Sequence, residues 1–181
     1  MMIELNEFPA QDLPAAYLTQ VFALECQVWP QETAGQDLLQ LHHQRCTERA
    51  RRRVFLLLED HQVIAHAETF ERLIYLGRTP LMVACLASVC VQPQCQRQGL
   101  GRRLVRQTLT LVDGGHYPVM LFQTDSDRFY RYLGCRSVNN RFVNRRAADV
   151  AANPWHGRFV MIYPATHPWT DETVDLNGPG F

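Results

Sequence analysis

The sequence contains no lysine: all 18 of its basic residues are arginine, so no side-chain amine of its own is available for acylation. An excess of either charge is also missing, because 18 acidic residues balance the arginines. A nucleic-acid-binding protein usually shows a basic excess or stripe. The short arginine runs at 51–53 and 145–146 fit solvated turns or helix ends better. We therefore expect no nucleic-acid partner.

Long apolar runs are absent as well. No run reaches the roughly 18 residues that a membrane-spanning helix needs, and residues 1–7 lack the basic and apolar regions of a signal peptide. We therefore predict a cytoplasmic protein with no membrane partner. Hydrophobic residues make up 46% of the 181-residue chain, which is typical of a globular protein. This length suits a single domain over residues 1–181.

Metal-binding patterns are missing too. The cysteines form no Cys-x-x-Cys pair, and the histidines show no metal-ligand spacing with acids, so we predict no metal. In the cytoplasm the thiols are expected to be free, with several packed in the core. A nucleophilic Cys90 or Cys135 is the weaker alternative to plain packing. The six cysteines are Cys26, Cys46, Cys85, Cys90, Cys95 and Cys135.

Hydrophobic periodicity predicts the element order α-α-β-β-β-α-β-α-β-β, which fits an α/β fold with one mixed sheet flanked by helices. The helices are expected at 12–29, 34–50, from Gly99 to the Gly114-Gly115 pair, and from Asp125 or Ser126 to Gly134. The strands are expected at 54–58, 63–70, 80–91, 119–122, near 135–143 and at 158–163. A turn region is expected at 72–79, and an ordered loop after Pro164.

The stretch 89–104 joins a strand to a helix through a loop that contains Gly99 and Gly101. The first turn of a helix carries unpaired backbone N–H groups and a partial positive charge. Glycines let a pyrophosphate approach the backbone closely. Arg102, in the first turn, can add positive charge at the phosphates. The pattern favours a phosphate-binding site over an ordinary strand-to-helix turn.

Two segments carry the family signal. Residues 96–101 read Gln-Arg-Gln-Gly-Leu-Gly, and residues 129–135 read Phe-Tyr-Arg-Tyr-Leu-Gly-Cys. They resemble the Gln/Arg-x-x-Gly-x-Gly/Ala signature and the aromatic-Tyr-x-x-Leu-Gly-Phe segment of the GNAT N-acetyltransferases, with Cys135 in place of the usual Phe. The resemblance covers about residues 54–143. It implies the GNAT fold, in which a mixed, mostly antiparallel sheet has splayed central strands and flanking helices.

Other segments resemble narrower groups. Residues 64–67 and the closing stretch 169–181 look like the aminoglycoside 2′-N-acetyltransferases, and the closing stretch is also similar to the nodulation-factor N-acyltransferases. The two groups differ in their acceptors. The match to the closing stretch is less specific than the match of the glycine-containing loop.

The resemblance implies acetyl-coenzyme A as co-substrate. Its pantetheine arm would pair with the strand at Val89 and Val91, and its pyrophosphate would bind the amides of 96–101. The tyrosine matching Tyr130 would hydrogen-bond the coenzyme sulfur and act as general acid, which a phenol of pKa about 10 can do. The implied coenzyme-binding residues are Val89, Cys90, Val91, Gln96, Arg97, Gln98, Gly99, Leu100, Gly101, Arg102, Asp125 and Tyr130.

The general base is where this sequence departs from the family pattern. The aminoglycoside group places a Glu at the position of Ala87. Water could relay the proton instead, or the base could be Glu68, His66 or the carboxylate of Phe181. His66 and Glu68 share one strand face by alternation. The ordinary interpretation of each, a hydrogen-bonded, half-buried histidine and an exposed glutamate, is favoured over a catalytic role.

The leading hypothesis is an acetyl-coenzyme A-dependent N-acetyltransferase that acts by direct transfer on the amine of a small molecule, with amino sugars among the candidates. One alternative is an N-acyltransferase with a longer acyl chain, and another is a non-catalytic acyl-coenzyme A sensor. Asp171, Glu172 and Asp175 could hold a cationic acceptor. A homodimer would be compatible with the family.

Overall fold

The computed structural model describes residues 2–181 and has a mixed α/β architecture, as predicted. The sheet is mostly antiparallel and is flanked by helices, which matches the GNAT fold. The helices are α1 (Ala15–Val28), α2 (Pro30–Thr33), α3 (Leu38–Glu48), α4 (Leu100–Asp113) and α5 (Asp127–Arg131). The strands are β1 (Ile3–Pro9), β2 (Ala50–Glu59), β3 (Gln62–Leu76), β4 (Thr79–Val91), β5 (Met120–Thr124), β6 (Arg136–Val138), β7 (Phe142–Val143), β8 (Phe159–Tyr163) and β9 (Val174–Asp175).

The strands hydrogen-bond in the order β1-β2-β3-β4-β5-β8-β6, and β9 pairs with β3 and β7. The β1–β2, β5–β8 and β6–β8 pairs are antiparallel. The β4–β5 pair is parallel and covers only two registers, Ala84 with Met120 and Cys85 with Leu121. Pairing over so short a length is expected if β4 and β5 are the splayed central strands of the predicted fold. Among residues 2–181, no helix is both long and apolar enough to cross a membrane.

The chain forms two compact units. Unit 1 comprises the residues up to Phe70 together with Ser88–Thr108, and unit 2 comprises Glu71–Ala87 and Leu109–Phe181. In unit 1 the inner side of α1, with Val21 and Leu24, packs on Val54 and Leu56 of β2 and on Cys90 of β4. The single-domain organisation expected from chain length stays a prediction.

Three predictions about the elements are wrong. The predicted helical N-terminal third begins with a strand, β1, which pairs with β2 from Ile3–Glu59 to Pro9–Arg53. The predicted turn at 72–79 is strand up to Leu76, and the predicted tail loop contains β9. Strand β9 pairs with the end of β3 through Asp175 with Tyr75, 100 residues away in sequence. Strands β1 and β9 were missed because their pairing partners are distant in the sequence, which local periodicity does not report.

The helices α1 and α3 are shorter than predicted because their starts are fixed by local chemistry. Pro14 precedes α1 with an extended backbone, as expected of proline just outside a helix. Asp37 caps α3, and its carboxylate accepts the Gln40 N–H at 2.8 Å. An Asp side chain at this position satisfies a donor that the first helical turn leaves unpaired.

A buried carboxylate organises the polar interior of unit 1. Glu68 on β3 is fully buried and accepts hydrogen bonds from Arg52 Nε and Nη2 at 2.8 and 2.7 Å. Arg49 Nη1 donates to it at 2.6 Å, and Arg45 Nη1 donates at 3.2 Å. Arg45 also bonds Glu25 of α1 at 2.8 Å. The charged groups therefore connect α1, α3, β2 and β3 within unit 1.

The arginines keep Glu68 ionised. Burial alone would raise the pKa of the Glu68 carboxyl, but attraction to Arg49, Arg52 and Arg45 holds this pKa well below its ordinary value. Removing one partner of a buried ion pair leaves an uncompensated charge, which costs about 3–5 kcal/mol. Glu68 is therefore a structural anchor of unit 1, and the predicted exposed glutamate at this position is wrong.

His66 lies between the two carboxylates without bonding either of them. Its Nδ1 is 3.6 Å from Glu25 Oε1, and its Nε2 is 3.7 Å from Glu68 Oε1. Both nitrogens are buried and have no hydrogen-bond partner among the described residues. Burial lowers the pKa of His66 more than the two acids raise it, so the imidazole is neutral at pH 7. The predicted half-buried, hydrogen-bonded histidine is wrong on both points.

Glu68 and His66 should respond in opposite ways to substitution. Glu68→Gln should lower the free energy of unfolding by about 3–5 kcal/mol, because the buried Arg52 and the half-buried Arg49 lose their counter-charge. His66→Leu should leave the free energy unchanged or raise it, because each unsatisfied buried nitrogen costs about 1–3 kcal/mol. Urea unfolding of the purified variants measures both.

The surface pair of Arg53 and Glu7, 2.8 Å apart, is the control. Glu7→Gln should change the free energy of unfolding by less than about 1 kcal/mol. The structural role of Glu68 is contradicted if Glu68→Gln behaves like Glu7→Gln. The assignment of His66 as an unsatisfied group is contradicted if His66→Leu loses as much stability as Glu68→Gln is expected to lose.

Candidate functional site

The loop between β4 and α4 is fixed at its start by hydrogen bonds within unit 1. Gln92 N donates to Ile64 O of β3 at 2.8 Å, and the Gln96 side chain donates to Val91 O at 3.1 Å. A short 3₁₀ turn over Pro93–Cys95 follows β4. The amide of Gln96, the first residue of the predicted pyrophosphate-binding segment 96–101, already donates to Pro93 O at 3.3 Å and is not available to a phosphate.

Six consecutive backbone amides in this loop, those of residues 97–102, donate to no other described residue. The first paired donor of α4 is Arg103 N, which bonds Gly99 O at 3.0 Å. Arg97 and Gly99 have positive φ values of 61° and 82°. An added Cβ at Gly99 would meet only Arg102 Nη2, at 3.9 Å, so its backbone conformation rather than lack of space favours glycine. Successive free N–H groups at a helix N-terminus form an anion-binding site.

Arginine side chains add positive charge at this helix start. Arg102 and Arg103 are exposed in the first turn of α4, and neither forms an ion pair with another described residue. Guanidinium groups bind phosphate oxygens through charge-assisted hydrogen bonds. The loop therefore combines backbone donors, a helix dipole and unneutralised cations, which together suit a phosphorylated ligand.

A distorted residue in β4 was not predicted from the sequence. Ser88 has a φ of 54°, a left-handed conformation that a non-glycine residue rarely adopts. Such a residue inside a strand is typical of a bulge, which re-aims the residues that follow. The next residues are Val89, Cys90 and Val91, the predicted contacts of the pantetheine arm. A serine in an apolar strand gives no signal of this conformation.

The two candidate cysteine nucleophiles are buried and hard to ionise. The Cys90 side chain packs in the core of unit 1, and burial raises the pKa of its thiol, with further increase from Glu25. Burial also raises the pKa of Cys135 to about 12. A nucleophilic cysteine needs an accessible thiolate. Plain packing therefore accounts for both residues, and Cys90 can offer a coenzyme only its backbone.

Tyr130, the candidate general acid, belongs to unit 2. It lies on α5, is 6% exposed, and packs its ring 4.5 Å from that of Phe122 and 4.9 Å from that of Phe129. Burial raises the pKa of its phenol, and Cys135 adds to this, so the hydroxyl keeps its proton at neutral pH. Tyr132, two residues later, is 77% exposed. Of these two tyrosines, only Tyr130 has a fixed position.

Asp125 and Phe181 are both tied into unit 2. Asp125 Oδ1 accepts the Arg158 N–H at 2.8 Å. The Phe181 ring lies 4.9 Å from the Trp155 ring and 4.7 Å from the Arg72 guanidinium carbon. Arg72 also bonds the carbonyl oxygen of Pro179. The end of the tail is therefore packed against other residues of unit 2.

The predicted acids of the tail do not form one cluster for a cationic group. Asp175 is buried, and its Oδ1 accepts the N–H groups of Arg145 and Asn177 at 3.1 and 3.0 Å. Glu172 is exposed, and its Oε2 accepts the Thr170 hydroxyl at 3.4 Å. Asp175 therefore serves the local backbone and is not available to an acceptor.

Glu68 and His66 differ as candidate bases. Both oxygens of Glu68 already accept hydrogen bonds from arginines, and its lowered pKa makes it a weak base. His66 keeps a free lone pair but is fully buried. Ligand atoms of Glu25, His66 and Glu68 lie within 4.8 Å of one another, which is the spacing of a metal site. Arg45 Nη1, at 2.8 and 3.2 Å from the two carboxylates, already supplies the cation there.

The sequence profile of the family described as "Acetyltransferase (GNAT) domain" matches residues 10–138. No curated protein sequence matches the chain. A crystal structure of Escherichia coli YhbS, a GNAT family N-acetyltransferase in complex with CoA, is similar with a TM-score of 0.65 and 16% identity. The match covers 97% of this chain and 89% of that one.

Two other solved structures are similar in fold. Escherichia coli ElaA matches with a TM-score of 0.59 and 17% identity, over 89% of this chain and 99% of that one. An aminoglycoside acetyltransferase, meta-AAC0020, from an uncultured soil metagenomic sample was solved in complex with sisomicin. It matches with a TM-score of 0.55 and 18% identity, over 72% of this chain and 84% of that one. The family match spans well over half of the chain and agrees with the fold, and this protein therefore belongs to the GNAT acetyltransferase family.

Proposed function

We propose that this protein is an acyl-coenzyme A-dependent N-acyltransferase that transfers an acetyl group directly to the amine of a small molecule. The observation that carries the proposal is the row of six unpaired amides at residues 97–102, next to Arg102 and Arg103. A coenzyme pyrophosphate supplies the oxygens that such a row of donors needs. The CoA in the YhbS complex, a protein of the same fold, supports this ligand class.

The proposed reaction has one chemical step. The amine nitrogen attacks the thioester carbonyl, the C–N bond forms, and the C–S bond breaks. A strand amide, for which we propose that of Val89, would stabilise the developing oxyanion. Tyr130 would donate the proton that the leaving thiolate takes up. Its raised pKa keeps the phenol protonated at neutral pH. Because the amine attacks directly, positioning contributes much of the acceleration.

The amine must also lose a proton, and the base is not supplied by the usual glutamate because Ala87 occupies that position. Glu68 is the weakest candidate, since three arginines hold it ionised. His66 is neutral and can accept a proton, but it would need water to reach it. We propose the Phe181 carboxylate or a water relay as the first candidates to test.

Two alternatives keep the same coenzyme. A longer acyl chain is compatible with the nodulation-like tail. A non-catalytic acyl-coenzyme A sensor is favoured by the absence of a glutamate at Ala87 and by the neutralisation of Glu68. Release of free thiol from acetyl-coenzyme A in the presence of amines distinguishes an enzyme from a sensor. The same assay with longer acyl-coenzyme A donors distinguishes the chain lengths.

The first prediction for this function concerns the coenzyme. Gly101→Glu should abolish measurable acetyl-coenzyme A binding in a folded protein, because a carboxylate would stand among the amides that the pyrophosphate needs. Calorimetric titration measures the affinity, and circular dichroism checks the fold. Thr110→Glu places the same charge later on α4 and should bind the coenzyme normally. Normal affinity in a folded Gly101→Glu variant would refute the site.

The second prediction concerns the general acid. Tyr130→Phe should lower kcat by about 10- to 1,000-fold with little change in coenzyme affinity, because a proton donor acts in the transition state. Tyr132→Phe is the matched control and should keep the wild-type rate, since its ring is exposed. The test is sharpest with an acetyl thioester whose thiolate is a poor leaving group. If Tyr130→Phe turns over such a donor with the wild-type kcat, Tyr130 is not the acid.

The third prediction concerns the tail. Deleting the last five residues, or appending two residues after Phe181, should raise the acceptor KM or abolish turnover while leaving coenzyme binding intact. The deletion removes the ring that packs on Trp155 and Arg72, and the extension removes the carboxylate from its place. Steady-state kinetics with an accepted amine and coenzyme titration measure the two effects separately. Normal acetylation by both variants would assign the tail a purely structural role.

A further inference from the structure

Unit 2 contains a cavity of about 450 Å³ that the proposed chemistry has not used. It lies at β6 and β7, the loop that precedes β8, and the first residues of β8. Its volume falls in the range of small-molecule sites, about 300–1,000 Å³. The lining is mainly polar and includes no carboxylate, so it offers no negative group to balance a positively charged ligand.

Two arginines give the cavity a positive charge. Arg141 lines it, and its exposed side chain forms no ion pair or hydrogen bond with another described residue. Arg158 also lines it, with its guanidinium carbon 5.3 Å from the centre of the Phe159 ring and no ion pair to a described residue. A guanidinium presents two parallel donors that match a carboxylate or a phosphate.

The remaining lining suits a compact polar ligand. Asn139 and Asn153 contribute side-chain amides. The Oδ1 of Asn153 accepts a hydrogen bond from the backbone N–H of Trp155 at 3.1 Å. Trp155 and Phe142 form an edge-to-face pair with ring centres 5.6 Å apart. Trp155 also has a buried indole N–H without a partner among the described residues. The two rings therefore add an apolar part to a lining that is otherwise mainly polar.

Residues 156–158, beside and within the cavity lining, are hydrogen-bonded to the segment that precedes Tyr130 in the chain. Gln123 Oε1 of β5 accepts the N–H groups of His156 and Gly157. Asp125, between β5 and α5, accepts the N–H of Arg158 at 2.8 Å. A ligand held by the Arg158 side chain would therefore lie on a segment of unit 2 that is hydrogen-bonded to the residues just before α5, the helix of the proposed acid.

We propose that this cavity binds an anionic group, a carboxylate or a phosphate, of the amine acceptor. The proposal rests on the proposed transferase function and narrows its substrate class. Arg141 and Arg158 would contact the anion, and the absence of a lining carboxylate would disfavour polycationic amines. The acceptor is thus an amine that carries a negative charge rather than an aminoglycoside-like polycation.

Matched pairs of amines test this inference. Glucosamine 6-phosphate is compared with glucosamine, L-serine with L-serine amide, and sisomicin serves as a polycation. Thiol release from acetyl-coenzyme A gives kcat/KM for each amine. Calorimetry in the presence of coenzyme A gives the affinities without requiring turnover. An anionic amine should exceed its neutral partner by about tenfold or more, the range for charge-assisted hydrogen bonds. The phosphate and carboxylate pairs identify which anion is preferred.

Charge-removing variants locate the effect. Arg141→Ala and Arg158→Ala should each reduce the preference for the anionic partner by at least about fivefold, whereas Arg146→Ala, an exposed arginine outside the cavity, should retain it. Equal affinities within the pairs, tighter binding of sisomicin, or an unchanged preference in both cavity variants would overturn the proposal. Preferential binding of anionic amines without thiol release would instead contradict the transferase function and leave the anion site standing.

Discussion

The arrangement of unit 1 depends on neutralising one buried charge, the carboxylate of Glu68. A buried carboxylate is tolerated only when it is paired and hydrogen-bonded. Arg45 of α3, Arg52 of β2 and Arg49, which lies between these two elements, meet that need. The carboxylate stands on β3, four residues after Ile64, whose carbonyl accepts a hydrogen bond from Gln92 N at the start of the loop between β4 and α4. The strand that the charges hold in place therefore also positions the loop.

Backbone groups carry the proposed coenzyme binding. Six amides, one left-handed glycine and a helix start define the site, and most side chains in the loop are free to vary. Specificity for the acceptor would then reside elsewhere, and the cavity with Arg141 and Arg158 offers the side-chain chemistry for it.

Local features could be predicted from the sequence, and long-range ones could not. The loop before α4 and the segment with Tyr130 are contiguous motifs, and the structure places free amides in one and a buried phenol in the other. Strand β9 and the environment of Glu68 depend on partners far away in the chain. His66 and Glu68 alternate on one strand as predicted, but alternation does not reveal that arginines from α3 and β2 cover that face. Ser88 gives no sequence signal of its left-handed backbone.

The central claim, that residues 97–102 bind the coenzyme pyrophosphate, is tested most directly by a crystal structure with acetyl-coenzyme A at a saturating concentration. The account predicts pyrophosphate oxygens within hydrogen-bonding distance, about 2.7–3.2 Å, of several of these amide nitrogens. A coenzyme bound at another surface, or a loop whose amides remain without contact to the bound coenzyme, would contradict it.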